Sequence, residues 1–478
     1  MKARIFAEES RKWWTLGALA FALFMIMLDN TVVNVALPSI QRDLGVGLTE
    51  LEWTVNAYAL TFAVLMLSGG KLADFFGRRR VFLIGLAIFT LSSLVCGLAT
   101  TGETLIGART VQGVGAALMM PATLSIISAT FPPHQRGMAI GIWAGVSAMA
   151  LAIGPLIGGL VTEHIDWGWI FFLNVPIGVL GLIVGRLVIR ESSDTSQEQR
   201  LDVPGLVASA VALFALTFAL IEANSFGWGD PVIAGLFALS AVAFVLFVWL
   251  ERRQRAPMLD LSLFRSSTFA GANVVAMLVT LAMFGVFFFM SIYMQNVLGY
   301  SATETGAAFL PMTVLIILIA PAAGKFSDRV GSRWLMTAGM GCLTFALLVF
   351  SRLGLGSTFW DIFPGLVVGG IGMGLVMTPM TAAALGSVPV AKSGVGSGVL
   401  NTFRQVGGAL GIAVMGAIVA AYVDLDAGGR PDPQAFIDGF RTALEVSAAF
   451  AFLGAVIAAS TIRKHRHMDA GELAEAAA

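Results

Sequence analysis

Fourteen apolar segments of about twenty residues each follow one another along the chain, joined by short polar connections. They fall at 13–37, 51–72, 81–100, 103–130, 137–161, 169–189, 203–223, 232–250, 268–295, 304–324, 333–352, 359–385, 394–422 and 441–462. That length suits an α-helix crossing a hydrocarbon layer ~30 Å thick. Inside such a layer the backbone has no water to bond, so a spanning segment must satisfy its own N–H and C=O groups. Composition agrees, with 57% hydrophobic residues, 12% charged residues and a mean hydropathy of +0.85, where soluble domains carry about 25% charge. The chain is therefore expected to be an all-α polytopic membrane protein. Its 29 basic and 29 acidic residues cancel, which leaves no electrostatic footprint for a nucleic-acid partner.

Lysine and arginine set the orientation. Only Arg42, Arg352, Arg430 and Arg441 fall in loops opposite the N-terminus, and only Arg109 and Arg404 lie inside spans; the rest crowd the tails and the N-terminal-side loops. The positive-inside rule then puts both termini in the cytoplasm. The apolar run after the basic N-terminus continues past Asp29 without a small-residue cleavage site and reads as a retained first span. Cys96 and Cys342 sit mid-span as packing residues, and the four histidines form no metal motif. No nucleophile elbow or nucleotide-binding loop is present, so the expectation is no enzyme activity, no catalytic or metal-binding residue, and no use of ATP.

Asp29 and Arg109 constrain function most, because charges inside spans are costly and mark functional sites. Counted at ~1.5 Å per residue from the ends of spans four and one, Arg109 and Asp29 lie roughly 9 and 13 Å below the same outer face, so they can meet. A guanidinium beside the carboxylate keeps it ionised, whereas separation leaves it desolvated and favours its protonated form. One helix movement can then switch Asp29 between releasing and accepting a proton. A static ion pair joining spans one and four fits the same spacing, and Asp29 solvated near the outer surface is a third reading.

The internal repeat decides the architecture. Gly70-Lys71-Leu72-Ala73-Asp74-Phe75-Phe76-Gly77-Arg78-Arg79-Arg80 is echoed by Gly324-Lys325-Phe326-Ser327-Asp328-Arg329-Val330-Gly331-Ser332-Arg333, with Gly, Lys, Asp, Gly and Arg at identical spacing. Two six-span halves place such loops six spans apart; here they are eight apart, and the surplus pair is assigned to 203–250. The loop motif G-x-L-A-D-x-x-G-R-R-R resembles the signature of the major facilitator superfamily, over nearly the whole chain. Fourteen spans with a central inserted pair resemble its drug:proton antiporter, or multidrug efflux, group. Leu28 to Pro38 in span one, Arg109 to Ala117 in span four, Gly154-Pro155-Leu156-Ile157-Gly158-Gly159 in span five and Trp169 to Gly178 opening span six match as well. Phe75 stands where the loop motif often has a basic residue, Ala150 where glycine is common and Gly168 where arginine is usual.

The resemblance implies a major facilitator fold: a six-helix bundle at 1–190, an insert with two extra helices at 191–267, a second six-helix bundle at 268–462 and a cytoplasmic tail at 463–478. It implies proton coupling by Asp29 and Arg109, gating by Gly70, Asp74, Gly77, Arg78, Arg79, Asp328 and Arg329, and an antiporter-motif helix carrying Gly154, Pro155, Gly158 and Gly159. From the residues alone, ordinary topology and anionic headgroups explain Arg78, Arg79 and Arg80. They do not explain Asp74 or its recurrence at Asp328, and a latch broken in one state is the bistable element that alternating access needs. The span-five glycines equally fit generic close packing, with a bend at Pro155.

Carriers of this plan bind substrate between the halves near mid-membrane. The candidates to line that cavity are Asn30, Asn34, Asn56, Tyr58, Gln112, Met119, Tyr293, Gln295 and Arg404, each with interhelix packing as its alternative. For Arg404 the partners in view are backbone carbonyls, a substrate anion, a distant acid or the cytoplasmic interface. Glu222, near the end of span seven, reads as a solvated interfacial acid. The expected function is a proton-coupled secondary exporter, an antiporter of amphiphilic or lipophilic drugs working by alternating access. Its expected partners are a small-molecule substrate, protons and membrane lipids, with no cofactor, as a monomer in the bacterial plasma (inner) membrane. An exporter dedicated to one endogenous metabolite (an antibiotic, lipid or siderophore) and an uncoupled facilitator are the alternatives.

Overall fold

A computed structural model of the chain describes residues 8–46, 48–193, 202–254, 259, 261–389, 392–422 and 433–463. The described residues are helical throughout their apolar segments. The first half comprises α1 (Glu8–Leu44), α2 (Leu48–Phe76), α3 (Arg78–Gly97), α4 (Gly102–Thr130), α5 (Pro133–His164), α6 (Trp169–Phe172) and α7 (Asn174–Val188). The inserted pair is α8 (Val203–Phe226) and α9 (Pro231–Arg253). The second half comprises α10 (Ser267–Ile292), α11 (Ala302–Ala308), α12 (Leu310–Val330), α13 (Ser332–Phe350), α14 (Phe359–Gly386), α15 (Ser393–Tyr422) and α16 (Pro433–Thr461). Among the described residues 13 helical stretches are long and apolar enough to cross a membrane; α5, 32 residues long, completes the fourteen. Spans six and ten are each broken into two helices, at Leu173 and Phe309, and α12 carries a proline in its first turn, the one place where a missing N–H costs nothing.

Each half has its own core. In the first, Leu19, Leu23, Phe82, Phe89 and Trp143 pack together towards one end, and Val32, Val33, Cys96, Trp167 and Phe171 towards the other. The second closes around Phe269, Val279, Met340, Leu343, Met380 and Phe440. α8 and α9 pack on each other through Ala219, Ala223 and Ile233, and α8 lies against both α2 and α15. The fold is thus all-α, two six-span bundles plus two extra helices.

The halves meet along two glycine seams, α2 on α15 and α5 on α12. A Cβ at Gly70 would strike the carbonyl of Gly394, and one at Gly398 would stand 3.2 Å from the carbonyl oxygen of Met66. On the other seam a Cβ at Gly324 would strike the carbonyl of Gly137, and one at Gly141 would stand 2.7 Å from that of Ala320. Both contacts lie at the end of the molecule that carries the arginine-rich loops, here called the basic face. The two bundles are therefore pressed together backbone to backbone at that face.

The loop repeat is one backbone device used twice. Gly77 and Gly331 both directly precede a helix, with φ of +104° and +91°, a region that a Cβ disfavours.

Three expectations need correction, the first being Arg42, which lies in the last turn of α1 and not in a loop. Glu222 is 8% exposed rather than solvated, because α8 runs a further turn to Phe226. Arg441 lies inside α16, not in a loop, and its Nε donates to the carbonyl of Ser351 at 3.0 Å. The first two turns of that helix are too polar for an apolar window to register. The tail beyond residue 463 and the linker residues 194–201 lie outside the described residues.

Candidate functional site

Asp29 and Arg109 are 0% and 1% exposed and form an ion pair between Oδ2 and Nη1. Arg109 Nη1 also donates to Gln112 Oε1 at 2.8 Å, one turn along α4, while its Nε donates to the Thr54 carbonyl of α2 at 3.1 Å. The guanidinium lies over the Tyr58 ring, 4.2 Å from its centroid. The other Asp29 oxygen, Oδ1, accepts from Gln112 Nε2 at 3.0 Å and from Asn174 Nδ2 at 3.2 Å. Asn174 in turn donates to Ser93 Oγ at 3.0 Å, and Ser93 donates to the Phe171 carbonyl at 2.9 Å. Helices α1, α2, α3, α4 and α7 therefore converge on one carboxylate. Buried charges are stable only in such company, and a network this densely connected restricts the geometry of its members. Cys96 Sγ lies 3.7 Å from Gln112 Oε1 at its margin.

Asn174, Ser93 and Thr54 were not singled out from the sequence. Asn174 had a signal, a lone amide inside the apolar Trp169 to Gly178 run. Ser93 and the Thr54 carbonyl had none, because Ser is common in spans and a carbonyl has no sequence signature.

The second cluster joins the two halves at the basic face. Asp74, 3% exposed, ends α2. Its Oδ1 accepts from Arg78 Nε at 2.9 Å and Nη2 at 2.8 Å, and from the backbone N–H of Gly394 at 3.0 Å. Its Oδ2 accepts from the backbone N–H of Val395 at 2.8 Å. Gly394 and Val395 open α15, so the carboxylate occupies a helix N-terminus, where free N–H groups and the helix dipole favour an anion. Arg78, 2% exposed, belongs to this cluster. Arg79 does not: its backbone N–H donates to Glu191 Oε1 at 3.0 Å, and its Nε stands 3.9 Å from Glu191 Oε2. Arg329 of the second repeat is exposed. The Asp328, Asn34 and Pro155 side chains lie outside the described residues.

Gly154 and Gly158 bring α5 onto α1. A Cβ at Gly154 would strike Thr31 Oγ1, and one at Gly158 would stand 3.1 Å from Val32 Cα, while Gly159 is half-buried. The same helix face thus packs directly beside the helix that carries Asp29.

The candidate cavity residues fall in several different surroundings. Tyr293 is fully buried, donates its hydroxyl to the Gly354 carbonyl at 2.6 Å and stacks on Phe440 at 5.8 Å. Met119 is fully buried against α3, its Cγ 2.9 Å from where a Gly85 Cβ would be. Both face neighbours within their own half, a direction that residue type does not reveal. Tyr58 and Gln112 belong to the buried charge cluster. Asn30 and Asn56 are half-buried, with Asn30 donating to the Ile26 carbonyl at 3.1 Å, and Gln295 is exposed on a π-helical turn, Tyr293–Val297. Arg404 is half-buried mid-span and donates to Met377 Sδ of α14 at 2.8 Å.

Two bundles closed at one face by a carboxylate latch, with an ion pair sealed inside one of them, define a membrane protein built on the carrier plan. The Major Facilitator Superfamily profile matches residues 19–412, and the chain belongs to that superfamily. It is 37% identical over 420 residues to the tetracenomycin C resistance and export protein of Streptomyces glaucescens, covering 87% of this chain and 77% of that protein. It is 38% identical over 414 residues to the multidrug resistance protein Stp of Mycobacterium tuberculosis (strain CDC 1551 / Oshkosh), covering 86% and 76%. It is 37% identical over 452 residues to the puromycin resistance protein pur8 of Streptomyces alboniger, covering 93% and 89%. The crystal structure of the human organic anion transporter MFSD10 (TETRAN) shares the fold, with a TM-score of 0.70 at 13% identity over 94% of this chain and 99% of that one.

Proposed function

We propose that the chain is a proton-driven exporter of amphiphilic or lipophilic small molecules, acting as an antiporter by alternating access without a cofactor. The observation that carries this reading is the sealed Asp29–Arg109–Gln112–Asn174 network. A proton on Asp29 cancels its attraction for Arg109 and turns one acceptor oxygen into a donor. Asn174 Oδ1, buried with no hydrogen-bond partner among the described residues, supplies an acceptor beside it. Proton binding therefore gives Asn174 Oδ1 a donor and frees Arg109 from its counter-charge, which loosens the tie between α1 and α4. The resistance and export roles named for the relatives support small-molecule efflux as the work so driven.

The basic face is assigned to the cytoplasm of a bacterial plasma membrane, with both termini there, on the distribution of Lys and Arg. The closed glycine seams and the Asp74 latch then describe a state shut towards the cytoplasm. At about 2.3 kcal/mol per charge per 100 mV, one inward proton supports roughly fifty-fold accumulation of a neutral substrate from voltage alone. Relatives named for single antibiotics also favour a second reading, export of one dedicated compound.

Inverted membrane vesicles loaded with a fluorescent lipophilic dye test the proposal. A proton gradient should drive dye accumulation, and dissipating it should stop accumulation at once. Accumulation that ignores the gradient refutes proton coupling. Gene deletion separates the two substrate readings: sensitivity to several unrelated drugs supports the broad one, and build-up of a single compound the narrow one.

A further inference from the structure

A pair of buried carboxyl groups lies outside both clusters, where the inserted helices reach the basic face. Asp202 immediately precedes α8 and Glu251 sits in the last turn of α9; they are 3% and 4% exposed. Each has one oxygen engaged and one idle. Asp202 Oδ1 caps α8, accepting from the Gly205 N–H at 2.7 Å, and takes a second bond from Gln254 Nε2 at 2.5 Å. Glu251 Oε2 accepts from the Leu259 N–H at 3.0 Å. Asp202 Oδ2 and Glu251 Oε1 are buried without a partner among the described residues. Both idle oxygens converge on Gly205, where a Cβ would strike the Asp202 carboxylate and stand 2.9 Å from Glu251 Oε1. The two carboxyl groups therefore face each other across Gly205.

Two ionised carboxylates in this position are acceptors only, so neither idle oxygen can satisfy the other. Each idle buried acceptor is destabilising, more so when charged, and like charges this close repel. A single proton resolves both problems, because the protonated carboxyl donates to its neighbour and one negative charge disappears. We propose that Asp202 and Glu251 form a proton-binding site, a carboxyl–carboxylate pair that clamps α8 to α9 at the basic face. Uptake of one proton takes the pair from two negative charges to one, with no other bond made or broken.

The remaining charge is attracted by Lys71 of α2 and is favoured by the N-terminus of α8. Among the described neighbours, Arg252, Arg253 and Arg265 are exposed, with Arg253 lying over the Trp249 ring at 4.3 Å. Since α8 packs on both α2 and α15, the helices that Asp74 ties together, occupancy of this site bears on the latch from the insert side. The site is separate from Asp29 and stands whether or not Asp29 couples transport.

Infrared pH-difference spectroscopy of the full chain in lipid nanodiscs tests it, with Glu251→Gln as the variant. Gln mimics the protonated Glu, since its amide supplies the donor that the proton provides. Wild-type protein should show a protonated-carboxyl C=O band at neutral pH that Glu251→Gln lacks, and the variant should take up one proton fewer on titration from alkaline to neutral pH. The same band and the same proton uptake in both proteins overturns the proposal. So does a wild-type spectrum without the band, or failure of Glu251→Gln to fold, which would mean that the doubly ionised pair is the native one.

Discussion

Replacing Asp74 with Asn removes a charge from a side chain that ties the two bundles together at the basic face. Arg78 belongs to the same half as Asp74, so their contact survives any relative movement of the bundles; the bonds that break on opening are those from the N–H groups of Gly394 and Val395. Hydrogen bonds to a charged group contribute about 1.5–3 kcal/mol each, so two contribute roughly 3–6 kcal/mol to the closed arrangement. Asn retains one neutral acceptor worth about 1 kcal/mol. The closed state should therefore lose roughly 2–5 kcal/mol, which at 1.4 kcal/mol per decade shifts the closed-to-open ratio by roughly 30- to 3,000-fold. Spin labels at Phe76 and Trp334, both exposed and in opposite halves, can report this by pulsed electron resonance in a cysteine-free background that still transports. Asp74→Asn should move much of the distance distribution to longer values. A distribution identical to that of the unsubstituted protein would show that the Asp74 bonds do not hold the face shut.

Three further outcomes are expected. Asn174→Ala removes one donor to the Asp29 carboxylate, worth about 1.5–3 kcal/mol, and should slow proton-driven efflux roughly ten- to a hundred-fold in vesicles while downhill substrate exchange persists. Gly77→Ala places a Cβ at φ +104° and against the Glu191 carboxylate, which should cost about 1–3 kcal/mol and lower the thermal unfolding midpoint of purified protein. Tyr293→Phe loses the 2.6 Å bond to Gly354, about 1 kcal/mol, and should lower thermal stability slightly while leaving the range of exported compounds unchanged; an altered range would return Tyr293 to the substrate cavity.

The architecture was legible because lipid imposes a length on every span and the loop repeat places the two halves in register. Gly77 and Gly331, paired by sequence spacing alone, share one backbone conformation. Asp29 and Arg109 could be matched because both are charged, which makes their depths comparable by counting residues. Asn174 and Ser93 escaped that reasoning: neutral polar residues are frequent in spans, and only the fold shows which of them turn inward. The surroundings of Met119 and Tyr293, packed against neighbours within their own halves, were hidden for the converse reason, since depth along a helix does not determine which face a residue occupies. The Arg79 contact with Glu191 was hidden by distance along the chain, the two residues being brought together by the return of the polypeptide after α7.

Proteoliposomes carrying Asp29→Asn test the central claim most directly, with pH-driven dye accumulation measured against downhill dye exchange in the same preparation. Asp29→Asn should still exchange dye but fail to accumulate it, and Asp29→Glu should recover part of the accumulation. If Asp29→Asn accumulates dye against its gradient as the unsubstituted protein does, proton coupling does not run through this carboxylate.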